Sequence, residues 1–165
     1  MTVELHQPES AALRPLYWED LAVGFSYETA SRTITEADVV SFAGLTGDYN
    51  RIHVDAEFAA ASTYGQRIAH GLLVVSCLAG LNTRTIMNQL LEPALMGLLE
   101  TQCRFLKPTL IGDTIRGHVE VVEAKATSKP GRGLVVFRRR AVTQRGDVTV
   151  ECLVKMLVRM RVDTQ

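Results

Sequence analysis

The sequence predicts an α+β fold in which an antiparallel β-sheet wraps around a long central helix. Three observations predict it. A stretch from 70 to about 88 is apolar almost all round in its first half, the pattern of a helix enclosed by other structure. From Leu98 onward the hydrophobic period changes to two, the period of strands. The runs in that half are joined by short turns, which makes neighbouring strands antiparallel. A sheet with one apolar face and a single hydrophobic helix each find their cover in the other.

The elements follow in chain order. Residues 1–14 contain Pro8, Glu9 and Ser10, show no period, and are expected to be a tail. Residues 15–165 are expected to form one domain, long enough to bury roughly 70% of the surface an unfolded chain exposes. Residues 24–34 (GFSYETASRTI) mix aromatic and β-branched side chains with weak alternation and predict the first strand. Thr35 reads as a helix N-cap, with Asp38 three positions on in capping-box position. Val39, Val40, Phe42, Ala43 and Leu45 give that helix its apolar side, and Gly44 and Gly47 are expected to stop it. The polar segment 47–55 (GDYNRIHVD) predicts a loop; Asp55 then caps a helical turn over 56–61, and 62–66 form another loop.

In the next segment Val74 and Val75 make a buried strand the alternative, and length decides for one helix. Leu99, Thr101, Cys103 and Phe105 then share the less polar face of a strand that Lys107-Pro108 ends. Turns at 111–113, 129–133 and 144–147 flank alternating runs at 114–125 and 134–143. Val148, Val150, Cys152, Val154, Met156, Val158 and Met160 occupy one face of a long last strand.

Composition narrows the function. Hydrophobic residues at 47% and charged residues at 22% exclude a disordered chain, a collagen and a disulfide scaffold. Eighteen basic residues against eighteen acidic ones leave no overall field to attract nucleic acid or anionic lipid. The longest apolar stretch, 72–81, is about ten residues, short of the roughly 20 that span a bilayer. Neither nucleic acid nor membrane is therefore an expected partner. No basic segment leading into an apolar one is visible in residues 1–14, so a secretory signal is not expected and the cytoplasm is. Cys77, Cys103 and Cys152 lie in apolar runs without C-x-x-C spacing, and read as small buried hydrophobes in a reducing compartment.

Polar chemistry concentrates in one place. Asp48, Asn50, His53 and Asp55 fall within eight residues. A carboxylate and an imidazole five positions apart can converge on one water and supply an acid and a base near neutral pH. On spacing alone, an Asx-rich loop with a surface histidine is the plainer reading. Two or three such ligands without a second cluster are weak grounds for a metal, so none is expected. No P-loop or dinucleotide fingerprint is present, and no cofactor is expected.

The complete string shifts that balance. Residues 35–55, from Thr35-Glu36-Ala37-Asp38 through Gly47-Asp48-Tyr49-Asn50-Arg51-Ile52-His53-Val54-Asp55, resemble the signature of the MaoC-like dehydratases, or (R)-specific enoyl-CoA hydratases. That signature runs Gly-Asp-x-Asn-Pro-x-His-x-Asp and is followed by an Ala-His-Gly element, matched here by Ala69-His70-Gly71. Phe105-Leu106-Lys107-Pro108 and Ile111-Gly112-Asp113-Thr114 are similar to the family's later strand and turn. The resemblance covers about residues 17–160 and implies the hot-dog fold, in agreement with the pattern above.

The resemblance also implies a reaction. Asp48 and His53 would hold one water that adds to C3 of a trans-2-enoyl-CoA while a proton reaches C2 on the same face. His53 is the favoured base and Asp48 the acid, a microscopic assignment that coupling makes model-dependent. Asn50 would orient the pair or the water, and the backbone N–H of Gly71 would bond the thioester oxygen. A helix N-terminus favours developing negative charge for independent reasons. Coenzyme A enters as part of the substrate. A homodimer is expected, because sheet edges need cover and the family completes its thioester tunnel between subunits.

Other residues carry two readings each. Ser76 could bond into the site or back to its own helix. His70 reads as a cap or interface residue more readily than as an auxiliary. Tyr49, Phe58, Tyr64 and Ile68 could line an acyl pocket or pack locally. Arg51 replaces the family's proline and could face a substrate carboxylate, a partner subunit or solvent; a carboxylated or branched 3-hydroxyacyl-CoA (mesaconyl-CoA type) is therefore an alternative substrate. Arg104, Lys107, Arg138, Arg139, Arg140, Lys155, Arg159 and Arg161 form a solvated sheet face or, in part, contacts to coenzyme A or carrier-protein phosphates. A hot-dog thioesterase and a non-catalytic acyl-CoA-binding subunit are the remaining alternatives. The Asp-x-Asn-x-x-His arrangement disfavours the first, and the retained Asp48 and His53 disfavour the second.

Overall fold

The computed structural model describes residues 13–161. Five strands, β1 (Ser26–Thr33), β2 (Leu95–Phe105), β3 (Thr114–Ala126), β4 (Arg132–Thr143) and β5 (Val148–Arg159), form one antiparallel sheet in the order β1-β3-β4-β5-β2. Five helices, α1 (Glu36–Thr46), α2 (Arg51–Val54), α3 (Ala56–Ala60), α4 (Gly71–Thr83) and α5 (Ile86–Leu91), fall between β1 and β2. The expected α+β class holds. Residues 1–12 of the expected tail lie outside the described residues, while Arg14 is held by the Asp20 carboxylate at 2.8 and 3.1 Å.

The core is the sheet's inner face against α4. Leu73, Val74, Cys77, Leu78 and Leu81 of the helix pack on Val119, Val135, Phe137, Val150 and Val154 of the sheet. Each such side chain contributes about 1.5–3 kcal/mol when fully buried. Alternation in β3 is clean: Ile115, Gly117, Val119 and Val121 are buried while the residues between them are half-exposed.

Four expectations need correction. The stretch read as one helix over 70–88 is two, because Thr85 accepts from the Asn88 N–H and starts α5 anew. Segment 47–55 is not all loop, since Asn50 caps the single turn α2. Helix α1 passes through Gly44 and ends only at Gly47, whose φ of 75° is the left-handed C-cap conformation that favours glycine. Its Val40 and Leu45 are exposed, so Val39 and Ala43 alone are fully buried there. Strand β2 lies at the sheet edge with register shifts near its start; Leu99 and Phe105 are more than half exposed, although Phe105 opposes buried Val150 and so shares the inner face.

Candidate active site

Short local bonds bring the polar segment into a tight path after α1. Thr46 Oγ1 accepts from the Asp48 N–H, Asp48 Oδ1 from the Asn50 N–H, and Asn50 Oδ1 from the Ile52 N–H, each at 3.3 Å. Such side-chain-to-backbone turns are what Thr, Asp and Asn supply. The path turns His53 inward on α2, where it is 8% exposed. Ile68 and Leu110 form an antiparallel bridge, and Ala69 N–H donates to Thr109 C=O at 2.9 Å, which sets the entry into α4.

Two histidines meet at this point. Their ring centroids are 3.8 Å apart with a 30° tilt, and the Phe42 ring packs on His70 with centroids 5.0 Å apart. His53 Nδ1 lies 2.9 Å from Ile68 C=O, and His70 Nε2 lies 3.0 Å from the backbone C=O of Asp48. A carbonyl only accepts, so both nitrogens carry hydrogen and donate. The lone pair of neutral His53 is thereby assigned to Nε2, and that of neutral His70 to Nδ1, which is buried without a partner.

A cleft of about 400 Å³ opens here. Asp48, His53, Tyr64, Ile68, Gly71 and Lys107 line it together with His70. Gly71 stands at the first position of α4, and no described residue outside the helix accepts from its N–H. A Cβ at Gly71 would come within 2.5 Å of the Phe105 ring, so the residue is small because that ring closes over it.

The remaining expected residues sit elsewhere. Asn50 points its carbonyl at its own helical turn and is not among the lining residues. Arg51 bonds Asp55 at 2.9 and 3.0 Å and stacks on Phe58 at 4.3 Å, also outside the lining. Tyr49 is exposed, and Ser76 donates back to Leu72 C=O at 2.8 Å. Of the basic sheet residues, Arg138 and Arg140 pair with Glu120 and Glu151, Lys155 with Glu100, and Lys107 with Asp147.

Sequence reasoning did not single out Leu72, Leu106, Pro108 or Thr109, which line the cleft from α4 and the chain after β2. The Lys107-Pro108 strand break was the available signal for the latter. Asp48, His53 and His70 each offer one ligand atom within 4.8 Å of the others, so these three are the residues that could hold a metal. Their backbone-carbonyl acceptors are also the type that orients metal-binding imidazoles.

A model of the MaoC like domain matches residues 20–143. The chain is 40% identical over 129 residues to the 3-hydroxybutyryl-CoA dehydratase of Methylorubrum extorquens, covering 78% of this chain and 72% of that protein. It is 33% identical over 135 residues to the (R)-specific enoyl-CoA hydratase of Rhodospirillum rubrum, covering 82% and 86%. Among solved structures, a MaoC-like dehydratase from Rhodospirillum rubrum aligns with a TM-score of 0.78 at 27% identity, over 89% of this chain and 99% of that one.

Proposed function

Since the chain belongs to the MaoC like domain family and carries its hot-dog fold, we propose that it catalyses reversible syn hydration of trans-2-enoyl-CoA to (3R)-3-hydroxyacyl-CoA. The observation that carries this reading is the 2.9 Å contact between His53 Nδ1 and Ile68 C=O. With Nδ1–H donated to Ile68 C=O, the Nε2 lone pair is left to act as a base within the cleft that Asp48 also lines.

The steps follow from these positions. One water sits between Asp48 and His53. His53 Nε2 takes a proton as the water oxygen bonds C3, and the double-bond electrons pass to the thioester as an enolate. The Gly71 N–H bonds the developing oxyanion, where the helix dipole also favours it; one such donor is typically worth about 100- to 1,000-fold in rate. C2 then takes a proton from Asp48, and the proton on His53 returns to Asp48 as the next water enters. No cofactor or metal takes part, and thioester cleavage is negligible.

His70 acts here as a positioning residue. Its N–H fixes the Asp48 backbone and its ring packs on that of His53. Tyr64 and Ile68 face the acyl chain, and Lys107, which also pairs with Asp147, is the lining cation that would meet the coenzyme A phosphates. The alternative of a carboxylated substrate rested on Arg51, which is committed to Asp55 and Phe58. The working unit is a homodimer, with the cytoplasm as its setting.

The test is a panel of enoyl-CoA thioesters, followed by loss of enoyl absorbance with and without a chelator. Hydration unaffected by the chelator supports the proposal. Free thiol release would favour a thioesterase, and inhibition by the chelator would assign a metal to Asp48, His53 and His70.

A further inference from the structure

One row of the sheet away from the cleft lining carries chemistry that hydration does not use. Arg139 on β4 is the partner of Cys152 on β5, and Cys152 is the partner of Cys103 on β2. Directly opposed residues of antiparallel strands project to the same face, so these three side chains share the inner face of the sheet. The Cys103 and Cys152 sulfurs stand 3.0 Å apart. A disulfide needs about 2.05 Å, so bond formation asks for a shift of roughly 1 Å.

Arg139 adds an electrostatic element. Its Nε is buried without a partner, and its Nη2 reaches only the Met156 sulfur at 3.7 Å. Among the described residues no carboxylate pairs with it. A buried cation lacking a counter-charge favours a neighbouring thiolate. Sequence patterning reads all three cysteines as small buried hydrophobes, but Cys103 is only half-buried.

We propose that Cys103 and Cys152 form a modification site that hydrogen peroxide closes to an intrachain disulfide. Cys103, half-buried where Cys152 is buried, reacts first. Its thiolate attacks the peroxide O–O bond, giving a sulfenic acid at Cys103 and a hydroxide that takes up the thiol proton as water. The Cys152 sulfur then attacks the Cys103 sulfur; the S–S bond forms, the S–O bond breaks, and a second water leaves with the Cys152 proton. Two thiols thus lose two electrons and two protons to one peroxide.

This order fits the surroundings. Burial and the Cys103 neighbour push the Cys152 thiol up to about 12, so it waits as a thiol. Oxidation of Cys103 removes that neighbour's contribution, leaving burial to be opposed by the attraction of Arg139. The new bond ties edge strand β2 to β5 two positions before Phe105, whose ring closes over Gly71.

The experiment treats the full chain with about one equivalent of hydrogen peroxide, alkylates the remaining thiols, and maps peptides by mass spectrometry. The expected result is a linked Cys103–Cys152 peptide that a dithiol reductant abolishes, with the thermal midpoint raised by about 5 °C or more. Cys103→Ser should abolish both changes and leave hydration turnover unaltered. Further oxidation of Cys103 with Cys152 still alkylatable, or a bond from Cys103 to a second chain, would overturn the proposal. Because the link is read by mass, its failure is separate from any failure of the hydratase reading.

Discussion

Backbone carbonyls set the proton positions at both buried histidines, and this decides what each ring can do. His53 keeps Nε2 free because Nδ1 is spent on Ile68, and His70 steadies Asp48 through Nε2. Asp48→Asn and His53→Ala should each lower kcat by about 100- to 10,000-fold, the usual worth of general acid–base catalysis. The double variant should be little worse than either single one if both groups act on one water. Steady-state kinetics, with circular dichroism to check the fold, measures this, and near-native turnover in either single variant would remove that residue from the mechanism. Asp48 and His53 are legible in sequence as cleft residues because they stand within one short polar string. The contact of His70 with His53 is not legible, since it depends on Ile68 and Ala69 pairing with Leu110 and Thr109 some forty positions away. Arg51 is a nearer miss: its pairing with Asp55 is an ordinary i,i+4 helical contact, hidden once 47–55 is read as loop.

The elements that frame the cleft are held by local caps and by one turn. Thr35 and Asp38 form the reciprocal box that starts α1, and this start is readable because it needs only four consecutive residues. The division of α4 from α5 at Thr85 was equally local but lay inside an apolar stretch whose length argued for one helix. The turn before β3 depends on Asp113, whose buried carboxylate takes two bonds from Arg145, at 2.7 and 2.9 Å, and one from the Leu110 N–H at 2.9 Å. Burial alone would raise its pKa, but Arg145, the Leu110 N–H and Gln144 outweigh burial and hold it below the ordinary carboxylate value. A folded-state pKa below the unfolded one stabilises above the unfolded value, near 3.9, and the contribution is lost as pH falls through the folded value. Asp113→Asn should therefore cost about 2 kcal/mol at neutral pH. Denaturant melts across the acid range should show the difference between wild type and variant shrinking toward low pH. A difference that stays constant with pH would assign the loss to packing rather than to charge.

At the scale of the molecule, β1 and β2 leave the sheet with two free edges. Strand β2 is the apolar one: Leu98 and Leu99 are 61% and 55% exposed, and Phe105 at its end is 55% exposed. A long exposed hydrophobic edge is normally covered. Covering it with a second copy would also wall the cleft beside Phe105 and Leu106. Sedimentation at micromolar concentration should therefore find a dimer or a larger assembly built from dimers, and a monomer would contradict this. The wrapped sheet and its helix were legible in sequence because periods of two and an all-round apolar helix are long-range patterns. The exposure of β2 was not, because alternation marks the two faces of a strand and not its place at the sheet edge.

If one water gripped by Asp48 and His53 on one wall of the cleft supplies the hydroxyl, then Asp48 delivers a proton to C2 on the same face. Hydration of a trans-2-enoyl-CoA in heavy water tests it directly, with proton NMR locating the deuterium at C2 and chiral analysis giving the configuration at C3. Syn addition and the R alcohol are the expected result. Anti addition would show that the two groups do not serve one face, and an S product would contradict the proposed function itself.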